Sequence, residues 1–281
     1  MYDVELTIKE ISEIKQLAKD TRKSFGVNDE VPIANDMKML LDRQGIYLCE
    51  YPFENNSKID AEIVRFETVD KPLIFIGLNS SLYYDEQIFA LAHEIFHFKT
   101  KSGKAYSLEK DDEDARTEKK ADRFAAELLL PETVLRTYVI NEFSNESISD
   151  DNVLRILRFI ANLQVVWWLP YKSIVLRLRE EKLIDEELFN KLYEDFDVRD
   201  ENSEYYTILK AIDKNAAIRL NNPTGNLTVS NEVIRTILKN YDDEYISEDE
   251  FVELLGVFKL EPSDYGYQIG DFDADCDIEG E

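Results

Sequence analysis

Apolar residues recur every three or four positions near the start of the chain. Ile8, Ile11, Ile14, Leu17 and Ala18 share one face of a predicted helix. Val31-Pro32 opens a second helical segment, carried by Met37, Met39, Leu40 and Leu41 and stopped at Gly45. Ile46–Tyr51, Ala61–Phe66 and residues 73–77 then read as strands separated by polar turns. The helix that follows has Asp85 as its expected N-cap, with Ile88, Phe89, Ala92, Ile95 and Phe96 at helical spacing. Apolar positions surround much of its axis, the pattern of a helix buried inside a domain. Ala121, Phe124, Ala125, Leu128 and Leu129 form the packing stripe of the next helix, over 113–130, which Pro131 ends.

Beyond Pro131 the pattern is helical over 134–143, 153–163, 171–181 and 187–196. A polar stretch at 197–204 reads as a linker before a helix over 206–218 and a turn around 221–226. Ser230 opens another helix, and Ser247-Glu248-Asp249-Glu250 is a capping box for one more. A small sheet packed with helices, followed by a mainly helical region, is an α+β layout. The expected domains are 1–145, a helical one at 146–260, and an acidic, disordered tail at 261–281.

Composition narrows the functional classes. Apolar residues make up 44% of 281, enough for a real core, and 33 Lys+Arg against 59 Asp+Glu leave a net charge of −26. That charge speaks against nucleic-acid or anionic-membrane binding as the main activity. No apolar run approaches the ~18 residues of a membrane span, and the first residues lack the basic stretch of a secretory signal. A soluble, cytoplasmic protein is expected. Cys49 and Cys276 cannot build a disulfide framework or a cysteine zinc knuckle. Residues 152–184 carry six Lys/Arg against two acids. This basic island is either a docking face for DNA or an acidic partner, or a helix face balancing nearby acids. Residues 261–281 hold eight acids and no Lys or Arg, and their Asp alternation lacks the glycine and terminal glutamate of a calcium loop.

The chemistry concentrates in the only two histidines, His93 and His97, four residues apart with Glu94 after the first. On a helix this spacing stacks both imidazoles on one face, able to converge on one cation. Glu94 is rotated about 100° away, beside the cation rather than on it. A catalytic zinc site takes three protein ligands and an open position. The third cannot be histidine, and Thr100 and Gly103 occupy the positions where a three-histidine motif would need Gly and His. A carboxylate is therefore expected, with a cysteine (Cys49 or Cys276, neither in a useful local context) as the weaker alternative. Glu118, one turn before Asp122 on the next helix, is the leading candidate, with Glu127 as rival and the acids of 109–114 behind them. The Glu118-x-x-x-Asp122 pair is similar to that of thermolysin-like zinc peptidases, where the Glu binds metal and the Asp steadies a ligand histidine.

His93-Glu94-x-x-His97, followed by Glu118-x-x-Ala121-Asp122-x-Phe124-Ala125-Ala126-Glu127-Leu128-Leu129-Leu130-Pro131, resembles the ImmA/IrrE family of zinc metallopeptidases. The close match covers about 73–131. A weaker one continues over 167–184, in a region (about 152–184) where family members carry a helix-turn-helix-like segment. Asp122 stands where the family commonly has Asn; either can bond a ligand histidine. The resemblance implies Zn²⁺ on His93, His97 and Glu118, Glu94 as general base, and hydrolysis of a peptide bond in a protein substrate. That substrate would be a helix-turn-helix (Xre-type) repressor or an antitoxin-like DNA-binding protein. The alternatives are a metal-bound regulatory or toxin-like interaction module with little turnover, and an acidic surface that mimics DNA. Tyr83, Tyr84 and Tyr106 are the nearby candidates for stabilising an oxyanion. By analogy with zinc peptidases, residues 73–77 are the candidate edge strand for an extended substrate.

Overall fold

The computed structural model describes residues 5–53, 59–67, 72–102, 112–148 and 152–269. Helix α1 (Ile8–Ser24) begins at a capping box in which Thr7 and Glu10 satisfy each other's backbone N–H groups. Helix α2 (Met37–Arg43) starts later than the apolar pattern suggests, after a 3₁₀ turn at Ala34–Asp36. The cause is Arg22. Its buried guanidinium donates to the carbonyls of Asn28 (2.7 Å) and Val31, and across the core to that of Leu128 (2.5 Å). These bonds hold the loop at 28–31 out of the helix.

Strands β1 (Ile46–Tyr51), β2 (Ala61–Phe66) and β3 (Leu73–Asn79) form a mixed sheet in the order β2-β3-β1. β1 runs parallel to β3, and β2 antiparallel to it, with Ile63 opposite Ile76. β3 is thus interior, with Ile76 and Leu78 fully buried. The edge expected at 73–77 belongs instead to β2, whose residues are only half-covered and whose Phe66 is exposed.

Helix α3 (Tyr84–Thr100) carries both histidines, and helix α4 (Asp112–Leu129) packs along it. Asp85 is not the N-cap. It is fully buried, pairs with Arg199 at 2.8 Å and accepts a hydrogen bond from Gln164 at 2.8 Å. Tyr83 occupies the N-cap position without a side-chain cap. After α4 come α5 (Glu132–Phe143), α6 (Val153–Trp167), α7 (Tyr171–Glu180), α8 (Glu186–Glu194), α9 (Glu204–Ile212) and α10 (Lys214–Leu220). α6 and α7 meet at 111° through a three-residue turn, the shape of a helix-turn-helix pair.

The chain divides into two compact units, Met1–Asn226 and Leu227–Glu281. This differs from the boundary expected near 145. Leu135, Ile156, Ile160, Trp167 and Ile174 belong to the same buried cluster as Ile88, Leu91 and Phe124, so α5–α10 complete the core around the histidine helix. The stretch expected as a linker, 197–204, is pinned: Arg199 bonds Asp85 and Glu86 and lies 4.1 Å over the Tyr83 ring. In the second unit, α11 (Asn231–Asp242) and α12 (Glu248–Gly256) enclose Ile234, Ile237, Phe251 and Leu255. Ser247 and Glu250 form the expected capping box. Within the stretch expected as a disordered tail, residues 261–269 are described, and Tyr267 packs edge-on against the stacked pair Tyr241–Phe251. Residues 270–281, and Cys276 with them, lie outside the described residues. Among the described residues, no single helix is long and apolar enough to cross a membrane.

The basic island is largely spent on internal pairs. Arg155 bonds Glu142 at 3.0 Å, Arg179 bonds Glu186 at 2.8 Å, and Lys172 sits 4.7 Å over the Tyr193 ring. Arg177, fully buried, joins a network on the far side of α4. There Lys15, Arg123, Arg136 and Arg177 meet Glu127, Glu132, Glu180 and Glu181. Glu181 is the hub, touching all four cations, with Lys15 and Arg177 each at 3.1 Å. Four charges of each sign balance, and removing one member strands a buried ion, at a cost of about 3–5 kcal/mol. Glu181→Gln should therefore lower unfolding stability by several kcal/mol in urea titration. The paired change Arg177→Met with Glu127→Leu, which removes one charge of each sign, should cost less than either single change. Equal losses for all three would show that the charges do not act together.

Candidate metal centre

Helical spacing places His93 and His97 one turn apart on α3, their ring centroids 5.0 Å apart. Their Nε2 atoms lie 3.1 Å from each other. α4 brings Glu118 onto the same point, with its carboxylate oxygens 3.2 Å from His93 Nε2 and 3.6 Å from His97 Nε2. These three side chains offer ligand atoms that all lie within 4.8 Å of one another. Two imidazole nitrogens and one carboxylate oxygen are the donor set that zinc takes in open, reactive sites, so the residues present fit a metal ion.

The outer contacts fit the same purpose. Asp122, one helical turn after Glu118, lies 2.9 Å from His93 Nδ1. Such a bond selects the tautomer that leaves Nε2 free as a ligand. Ser102 Oγ lies 3.3 Å from His97 Nδ1, and Thr100 Oγ1 is 2.6 Å from Ser102 Oγ. The sequence reading missed Ser102. It lies just past the end of α3, where Lys101 turns the backbone into the left-handed region (φ 55°), and nothing in the local pattern marks it.

Glu94, 7% exposed, lies on the side of α3 that faces β2, and its Oε2 accepts the Ile63 N–H at 3.0 Å. Burial pushes its pKa up to about 7, against the pull of His93 and the Ile63 bond. Burial alone would discharge His93, but its bonds to Asp122 and Glu118 hold its pKa up to about 10. Burial and the neighbouring His93 push His97 down.

Glu127, the rival ligand, points to the opposite side of α4. It accepts from Arg177 and, at 3.0 Å, from the first N–H of α5. Tyr84 is buried against Trp168 and Tyr83 lies under Arg199, so neither lines the site; Tyr106 lies outside the described residues. The metal-ligand candidates open into a cleft of about 710 Å³. The edge of β2 forms one wall, and the first turn of α7, with Lys172 and Ser173, contributes to another.

A histidine titrating near 10 carries a proton at neutral pH, and a ligand histidine must give it up. Zinc binding at pH 7 should therefore release about one proton, and zinc affinity should rise with pH toward 10. Calorimetry in buffers of different ionisation enthalpy measures the count. Asp122→Ala should weaken zinc binding by about 10–100-fold. Binding without proton release would show that His93 is neutral at pH 7.

No curated protein gives a significant match to this sequence. A family profile does: residues 41–178 match the IrrE N-terminal-like domain of a peptidase family. The match runs from α2 through the sheet, both metal-site helices and α6 to Leu178 on α7, so it includes every candidate ligand and Arg177 of the ion network. The match supports an ImmA/IrrE-family metallopeptidase domain over these residues.

Proposed function

We propose that this protein is a zinc-dependent endopeptidase that cuts a regulatory DNA-binding protein, a helix-turn-helix (Xre-type) repressor, in the cytoplasm. The observation that carries the reading is a buried carboxylate, Glu94, set beside three converging metal-ligand side chains in an open cleft. Zinc held by His93, His97 and Glu118 would supply Lewis acidity, polarising the scissile carbonyl and lowering the pKa of water toward ~7.

The chain's own residues supply the rest. Glu94 Oε2 is occupied by the Ile63 N–H, leaving Oε1 to take a proton from the attacking water and return it to the departing amine. Burial raises its pKa, which makes it a stronger proton acceptor than an exposed carboxylate. Asp122 and Ser102 fix the two histidine rings through their Nδ1 atoms. The Ile63 N–H faces Glu94 rather than β3, so the outer edge of β2 opens on the cleft, where an extended peptide can add as a strand. A DNA-binding protein carries basic surface, and a chain with net charge −26 attracts it. The complete Glu94 arrangement favours turnover over a binding-only module.

Purified wild type and Glu94→Gln should each hold about one zinc per chain, the number this donor set can take. With a helix-turn-helix repressor encoded beside the protein as substrate, Glu94→Gln should slow cleavage by at least about 100-fold. Glu118→Ala should lose zinc and activity together. Equal repressor loss with wild type and Glu94→Gln would remove Glu94 from the chemistry. Full zinc affinity in Glu118→Ala would exclude Glu118 as ligand.

A further inference from the structure

The cleft is unevenly charged. Besides Glu94, Glu118 and Asp122, three more carboxylates line it: Asp60 just before β2, Glu62 on β2 and Glu86 on α3. Lys172 is the one Lys or Arg among the described residues that line the cleft, and it lies over the Tyr193 ring. Glu86 shares Arg199 with Asp85, at 2.8 Å. Asp60 and Glu62 have exposed side chains with no hydrogen bond or ion pair to another described residue. Partial burial, then the charges of Glu86 and Asp122, pushes the Asp60 carboxyl up, and Glu62 helps to raise Glu94. These carboxylates therefore feel one another across the cleft.

An apolar surface accompanies the charge. Phe89 and Ala90, on the cleft side of α3, lie one turn before His93 and Glu94, and Leu82 lines the same space. A long aliphatic stem ending in a cation satisfies both features, covering Phe89 while its head reaches the carboxylates. An acidic peptide side chain would meet repulsion, and a short polar one would leave the apolar surface wet. The feature is part of a cleft already built around Glu94, so the acids modify a site rather than define one.

We propose that Asp60 and Glu62, with Glu86 beside them, make this cleft selective for an extended peptide carrying arginine or lysine next to the bond to be cut. The inference rests on the peptidase reading for the word "cut", while the selectivity itself is a property of binding. It differs from the general attraction of an acidic surface because it assigns the preference to two named carboxylates that line the same cleft as Glu94.

Binding separates the two ideas. The probes are a fluorescein-labelled peptide of Ala, Leu and Ser with two central arginines, and the same peptide with citrulline, which keeps shape and hydrogen bonding but removes the charge. Both are titrated by fluorescence anisotropy against the zinc-loaded full chain carrying Glu94→Gln. The arginine peptide should bind about fivefold more tightly. Adding Asp60→Asn and Glu62→Gln should abolish that preference, while adding Glu187→Gln and Glu194→Gln on exposed α8 should preserve it. Equal binding of the two peptides overturns the proposal. So does a preference that survives Asp60→Asn/Glu62→Gln, because bulk charge then accounts for it. Cleavage is scored separately, with wild type and the repressor: preferential peptide binding without repressor cleavage would retire the peptidase reading and leave the selectivity standing.

Discussion

The fold depends on which way α4 faces. This helix has to present Glu118 and Asp122 to the imidazoles of α3 while its other side packs into the core. Apolar contact through Ala121, Phe124 and Leu128 is strong but tolerant of rotation and sliding. The ion network is not tolerant. Arg123, adjacent to Asp122 in sequence, is held by Glu180 and Glu181, and Glu127 by Arg177. Each charge is buried or half-buried, so a slip of α4 would strand ions at a cost of several kcal/mol. Directional charge pairs fix the register, and dispersion and the hydrophobic effect hold the helix down.

The same principle appears at the start of α3. Asp85 is buried among Arg199, Gln164 and the amide of Glu86, and Tyr205 donates to Gln164 at 2.6 Å. A chain of polar bonds therefore runs from the histidine helix through α6 to α9 and the 197–204 segment. These bonds are satisfied pair by pair, and those from Arg199, Gln164 and Tyr205 join elements far apart in sequence. They explain why α5–α10 cannot be set aside as a separate helical domain: the metal-site helices complete their hydrogen bonding only with those helices in place.

How much of this was readable beforehand follows from the range of each interaction. That His93 shares a helix face with His97, and Glu118 with Asp122, was legible because helical periodicity decides it, while the preference for Glu118 over Glu127 came from the family resemblance. The capping box at Ser247 and strands β1–β3 were legible for the same local reason. Asp85 looked like an N-cap because Asp often is one, and only a cation 114 residues later shows otherwise. The edge of the sheet was misplaced because strand order depends on pairing partners, which the alternation within a strand does not encode. Nothing in the local pattern marks Arg22, Arg177 or Glu181 for burial. Their burial follows from four helices converging, a fact of tertiary packing.

α7 shows how these constraints bear on activity. Its C-terminal half gives Arg177 to the network behind α4, and Glu180 and Glu181 close its end. Its first turn places Lys172 and Ser173 on the wall of the cleft. One helix thus sets both the orientation of α4 and part of the space opposite β2, so ligand geometry and cleft width are mechanically linked. A change that loosened the network would disturb the metal site and the substrate groove together, although no residue of the network touches either histidine. This linkage gives a physical reason for the family match to reach α7 instead of stopping at Pro131. The metallopeptidase unit needs the helix that clamps α4 as much as the helices that carry its ligands.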